Sequence, residues 1–67
     1  MPTGVVKWFN DKKGFGFIKR ENEDTDVFVH YTVIKEEGYK SLAQGQLVEY
    51  NFTKGPKGPL ATEVHKL

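Results

Sequence analysis

The stretch KGFGFIKR, residues 13–20, decides how this chain is read. In a strand, successive side chains point to opposite faces. One face then carries Lys13, Phe15, Phe17 and Lys19, and the other carries Gly14, Gly16, Ile18 and Arg20. Lysine is almost never buried without a partner, so the face bearing Lys13 and Lys19 must see water. It takes Phe15 and Phe17 with it. The slim reverse face, with Gly16 and Ile18, suits the narrow interior of a small barrel.

Four further runs of β-branched and aromatic residues have the same character. Strands are expected at about 4–10 (GVVKWFN), 14–20, 26–31 (DVFVHY), 46–53 (QLVEYNFT) and 59–65 (PLATEVH), with turn residues between them. Asp11-Lys12-Lys13-Gly14 forms a tight connection, residues 21–26 (ENEDTD) a polar loop, and Gly55-Pro56-Lys57-Gly58-Pro59 a turn. Val33-Ile34-Lys35 offers one helical turn before Gly38, and no segment sustains helical periodicity over ten residues. Five short strands in so small a chain point to a sheet closed on itself, which hides its edges. Gly16, Ile18, Val27, Val29, Val48, Tyr50 and Phe52 are expected inside. Phe15, Phe17, Phe28 and His30 are left outside beside Lys13 and Lys19.

With 67 residues the chain makes one domain and buries only about 60% of its surface, so the core is small. It has no cysteine and therefore no disulfide or thiolate metal site. The sequence shows no signal-peptide pattern and no apolar run of membrane-spanning length, so a cytoplasmic protein without membrane association is expected. Asn51-Phe52-Thr53 fits a glycosylation pattern but reads as strand sequence in that setting. The net charge of +1 hides a segregated pattern. Residues 1–20 hold Lys7, Lys12, Lys13, Lys19 and Arg20 against Asp11 alone, whereas residues 21–26 hold four acids and no base. A local basic patch attracts a polyanion even when the total is near zero.

Aromatic rings exposed among cations usually mark a binding surface. Single-stranded nucleic acid needs both groups: splayed bases stack on rings, and lysines follow the phosphates. Duplex DNA would call for a helix or ribbon entering a groove, and the sequence offers no recognition helix. Trp8, Tyr31 and Tyr39 extend the candidate platform, with Lys7 and Asn10 beside Trp8 arguing that it lies at the surface. The two histidines, His30 and His65, are far apart and lack the pattern of a metal site, and ENEDTD lacks the glycine and terminal glutamate of a calcium loop. No phosphate-binding loop is present. Gly14-Phe15-Gly16 opens a GxGxxG pattern that fails at Lys19, and Ser41, the sole serine, has no histidine or acid placed near it in sequence as a partner. No enzyme and no cofactor are expected. A peptide-binding barrel of the SH3 type would place acids beside the aromatic groove, whereas here lysines flank the rings. A purely structural subunit of a ribonucleoprotein is the remaining alternative.

KGFGFI matches the opening of the RNP1 pattern of RNA-recognition motifs, but that fold needs two helices and places its other aromatic motif earlier. Here the second aromatic motif, VFVHY, follows. With KWFN at 7–10, KGFGFI at 13–18, DVFVH at 26–30, GYKSL at 38–42 and GPKGP followed by Leu60-Ala61, the whole chain strongly resembles the bacterial cold-shock proteins of the cold-shock domain family. The resemblance implies a single cold-shock domain over residues 1–67, an all-β, five-stranded antiparallel barrel of the OB type. It also implies a monomer that binds single-stranded RNA and DNA, preferring pyrimidine-rich or T-rich strands, and acts as an RNA chaperone affecting transcription and translation. The binding residues it implies are Lys7, Trp8, Phe15, Phe17, Phe28, His30, Tyr31 and Tyr39, with Lys13 and Lys57 near phosphates. The family usually carries Phe where Tyr31 and Tyr39 stand, Gln at Leu60, Lys at Val5 and Ser-Ala at Thr32-Val33. These departures put a polar base contact at position 60 in doubt and trim the basic patch.

Overall fold

The computed structural model describes residues 2–20, 25–35, 41–56 and 58–67. Its five strands are β1 (Thr3–Asn10), β2 (Phe15–Arg20), β3 (Asp26–His30), β4 (Leu47–Gly55) and β5 (Gly58–Lys66). They close into a barrel in the order β1-β2-β3-β5-β4. The strand expectations hold to within a residue or two at each end.

Around a closed ring of five strands, directions cannot alternate throughout, so one pair must run parallel. That pair is β3 and β5, joined at Phe28↔Leu60, and the other four pairings are antiparallel. The parallel contact is short, and an isolated bridge Ile34↔Val64 continues it beyond β3.

The interior is filled by Val6, Ile18, Val27, Val29, Ile34, Leu42, Val48, Tyr50, Ala61 and Val64. All the residues expected inside are buried except Phe52, which packs against this cluster but stays half exposed. The β4–β5 ladder is irregular next to it, between Asn51 and Phe52. Its ring there receives the Arg20 guanidinium 4.5 Å from the centroid, a cation–π contact.

The helical turn lies two residues earlier than Val33–Lys35. A 3-10 turn spans Tyr31–Val33, and the His30 side chain caps it by accepting from the Thr32 N–H. Tyr31 therefore leaves the strand in which the sequence pattern places it. Gly14 likewise falls in the turn before β2, at φ +76°, a conformation that side chains rarely adopt. Asn10 builds that turn: its Oδ1 accepts from the N–H groups of Lys12 and Lys13, each at 3.0 Å, and its carbonyl accepts from Gly14 N–H at 2.7 Å.

Gly16 has the most exacting position in the barrel. A Cβ there would lie 2.3 Å from the Trp8 carbonyl oxygen and 2.7 Å from the Phe9 Cα. Those neighbours are backbone and cannot swing aside. Among the described residues, no helix is long and apolar enough to cross a membrane.

Gly16→Ala should therefore cost about 1–3 kcal/mol, the usual range for overpacking, read as a lower urea midpoint at unchanged slope. A second outcome concerns the far side of the barrel. There Glu63 accepts a hydrogen bond from His65, and this bond, followed by the positive charges of His65 and Lys35, holds its carboxyl below the ordinary value of 4.5 despite an opposing desolvation effect. A depressed carboxyl contributes stability that is present above 4.5 and lost as pH falls through the lower folded value. Glu63→Gln should thus be less stable than the parent at neutral pH. The two unfolding curves should converge on acidification below that value.

Candidate nucleic-acid interface

The surface of interest is the outer face of β1, β2 and β3. Register places Phe17 opposite Phe28 and Phe15 opposite His30, so the alternation of β2 and β3 puts these four rings on one side. Trp8 reaches that side by a different route. Val6 is buried opposite Ile18, and strict alternation would turn Trp8 inward as well. Between them the β1–β2 register shifts: Val6 pairs with Ile18, but Trp8 pairs with Phe17. Lys7 is the extra residue of a β-bulge, and one extra residue reverses the facing of everything after it. Trp8 consequently turns outward, 40% exposed, and Phe9 turns inward onto Gly16.

The result is one connected aromatic cluster. Trp8 lies 5.7 Å from Phe15 and 5.3 Å from Phe17 between ring centroids. Phe28 lies 5.7 Å from Phe15 in a stacked arrangement and 5.6 Å from Phe17 edge to face. Phe15, Phe17 and Phe28 are half-buried, so each keeps part of its ring in water. Tyr31, 46% exposed, sits 4.7 Å from His30. Its ring occupies the space above Gly14, where a Cβ would meet it at 2.7 Å. The Thr32 hydroxyl is 3.0 Å from His30 Nδ1, which also accepts from the Thr32 N–H at 3.4 Å. The bond from Tyr31 N–H to the Gly14 carbonyl, at 2.8 Å, ties this polar end of the platform to the Asn10 turn.

The cations are arranged less simply. Lys13 is exposed on the turn beside Phe15. Lys7 reaches from β1 across to β3 and pairs with Asp26 at 3.0 Å, with side chains 57% and 27% exposed. Sequence reading placed Asp26 in an acidic loop and missed this pair, because it depends on β1 and β3 flanking β2. Of the ten residues expected to bind, the fold brings Lys7, Trp8, Lys13, Phe15, Phe17, Phe28, His30 and Tyr31 to one surface. Tyr39 and Lys57 lie outside the described residues, as do the acidic residues 21–24. Leu60, which the sequence marked only as a departure, stands at the rim of the platform beside Phe28.

Among the described residues no three of His, Cys, Asp or Glu are placed to hold a metal. Glu49, Glu63 and His65 lie together on the β4–β5 ladder, away from the rings. The surface combines flat apolar rings with flanking ammonium groups, the two features that stacking and phosphate contact call on.

Comparison with known proteins agrees with this surface. The sequence profile of the "Cold-shock" DNA-binding domain matches residues 2–67. Cold shock protein CspA of Staphylococcus saprophyticus is 57% identical over 67 residues, covering all of both chains. Cold shock-like protein CspC of Bacillus cereus is 58% identical over 64 residues, covering 96% of this chain and 97% of that protein. In fold, the chain superposes on the Drosophila Unr CSD456 structure with a TM-score of 0.79 at 18% identity, over 98% of this chain and 26% of that one. A full-length profile match and relatives of this identity, on a closed five-stranded barrel that turns its rings outward, establish that the chain belongs to the cold-shock domain family.

Proposed function

We propose that this protein binds single-stranded RNA and DNA by stacking successive bases on Trp8, Phe15, Phe17, Phe28, His30 and Tyr31. The observation that carries this reading is the connected ring cluster spanning β1, β2 and β3, held at centroid separations of 5.3–5.7 Å with no protein element laid over it among the described residues. Every base has a π-face, so such a platform tolerates sequence variation. Pyrimidine-rich strands are preferred because their smaller bases unstack from one another at lower cost. Binding in this way masks weak pairings, which makes the protein an RNA chaperone acting on transcription and translation under cold or general stress. It works as a cytoplasmic monomer and a binding protein, not as an enzyme.

Lys13 is free to meet phosphates, whereas Lys7 must first be drawn from Asp26. The platform thus relies on few phosphate contacts, and affinity should fall only modestly with salt. Each contact on a single strand contributes a slope of roughly −0.7 in log K against log salt.

Titration of oligo(dT) against Trp8 fluorescence tests the reading. Phe15→Ala and Phe28→Ala should each weaken binding by about 1–3 kcal/mol while the barrel remains folded by circular dichroism. Absence of binding at low salt, or equal affinity for duplex, would remove the proposal. Asp26→Asn separates the lysine from its internal partner. It should strengthen binding at low salt by up to about fivefold, the scale of one exposed ion pair, and steepen the salt dependence.

A further inference from the structure

Beside the platform lies an open pocket of about 490 Å³ lined by Phe17, Phe28, Gly55, Pro56, Gly58, Pro59 and Leu60. It forms where the β4–β5 hairpin folds back against β3. Leu60 pairs with Phe28 on one side and with Thr53 on the other, and it is 39% exposed. None of these seven residues carries a polar side-chain atom, and the two prolines also lack an N–H.

On the proposed reading of this surface as a stacking platform, we infer that Leu60 makes this pocket a reader of the C5 substituent of a pyrimidine. Specificity here is for a methyl group rather than for the hydrogen-bonding edge of the base. A pyrimidine carries its donors and acceptors along C2, N3 and C4, while its C5–C6 edge is apolar. Entering the pocket by that edge leaves every polar group in water. A purine has no equivalent approach, since its N7 acceptor would be desolvated without a partner. A methyl at C5, as in thymine, adds apolar surface that the pocket removes from water. The protein contact is of the same kind as apolar recognition of the thymine methyl in DNA grooves.

Burying one methyl is worth about fourfold in affinity, and a single pocket takes a single base. The distinctive consequence is that cytosine bearing a 5-methyl group gains as thymine does, although its hydrogen-bonding edge differs from that of thymine.

Affinities of four fluorescently labelled deoxyheptamers, dT7, dU7, dC7 and its 5-methylcytosine counterpart, test the inference by anisotropy. The sugar is constant, so only the base substituents vary. In the parent protein each methylated strand should bind about fourfold or more tighter than its unmethylated partner. Leu60→Ser should shrink both ratios by about fourfold, the methylated strands losing more affinity than dU7 and dC7. Leu60→Met should retain both ratios. Any residual methyl preference in Leu60→Ser measures stacking on the rings. Ratios of one in the parent, ratios unchanged in Leu60→Ser, or an equal loss across all four strands would overturn the assignment to Leu60. Failure of the parent to bind any of the four would instead overturn the proposed function itself.

Discussion

The fold turns on a contact between two backbones. β1 crosses β2 so closely that a single methyl at Gly16 would sit 2.3 Å from the Trp8 carbonyl oxygen. The interior of this five-stranded barrel holds Val, Ile, Leu, Ala and one Tyr ring. Phe9 packs against these residues, pressed against Gly16. The remaining rings of β1–β3 have no place to go but outward. Exposed aromatic surface, usually a liability, is here a consequence of how tightly the barrel closes.

The bulge at Lys7 turns this consequence into a site. Without the extra residue, Trp8 would be directed into an interior already filled by Val6 and Ile18, and Phe9 would face outward in its place. With it, Trp8, Phe15, Phe17 and Phe28 brace one another. Aromatic pairs at these distances are worth about 0.5–1.5 kcal/mol each beyond simple burial. Mutual bracing also means that less side-chain freedom is lost when a base lands on them. At the other end of the platform, the Asn10 turn and the His30-capped 3-10 turn set Tyr31 over Gly14. The platform thus runs from a polar end near Tyr31 to an apolar end near Leu60.

Charge follows the same geometry. The lysines of residues 1–20 are carried on β1, on β2 and on the turn between them, on the side of the rings, whereas Arg20 covers Phe52. Of these lysines, Lys7 is engaged by Asp26. The acids of β4 and β5, Glu49 and Glu63, lie on the ladder away from the rings. A near-zero net charge is therefore compatible with a surface that attracts phosphate on one side only.

Much of this was legible in the sequence, because alternation is a local property. Lys13 and Lys19 cannot be buried, and period 2 carries Phe15 and Phe17 with them to the surface; the same rule places Val27 and Val29 inside and Phe28 and His30 outside. Turn residues marked the strand ends, and the count of strands implied closure. Only the tertiary structure decided the rest. Trp8 faces water because a bulge resets the alternation, and a bulge is set by how two strands fit together rather than by either one alone. Lys7 meets Asp26 because β1 and β3 flank β2. Phe52 stays half exposed where the β4–β5 register breaks and the Arg20 guanidinium covers its ring. Leu60 becomes part of a pocket because a parallel contact, required by the odd number of strands, brings it to Phe28. Each of these is a pairing between segments distant in the chain, and such pairings are fixed by closure of the whole barrel, which no local pattern records.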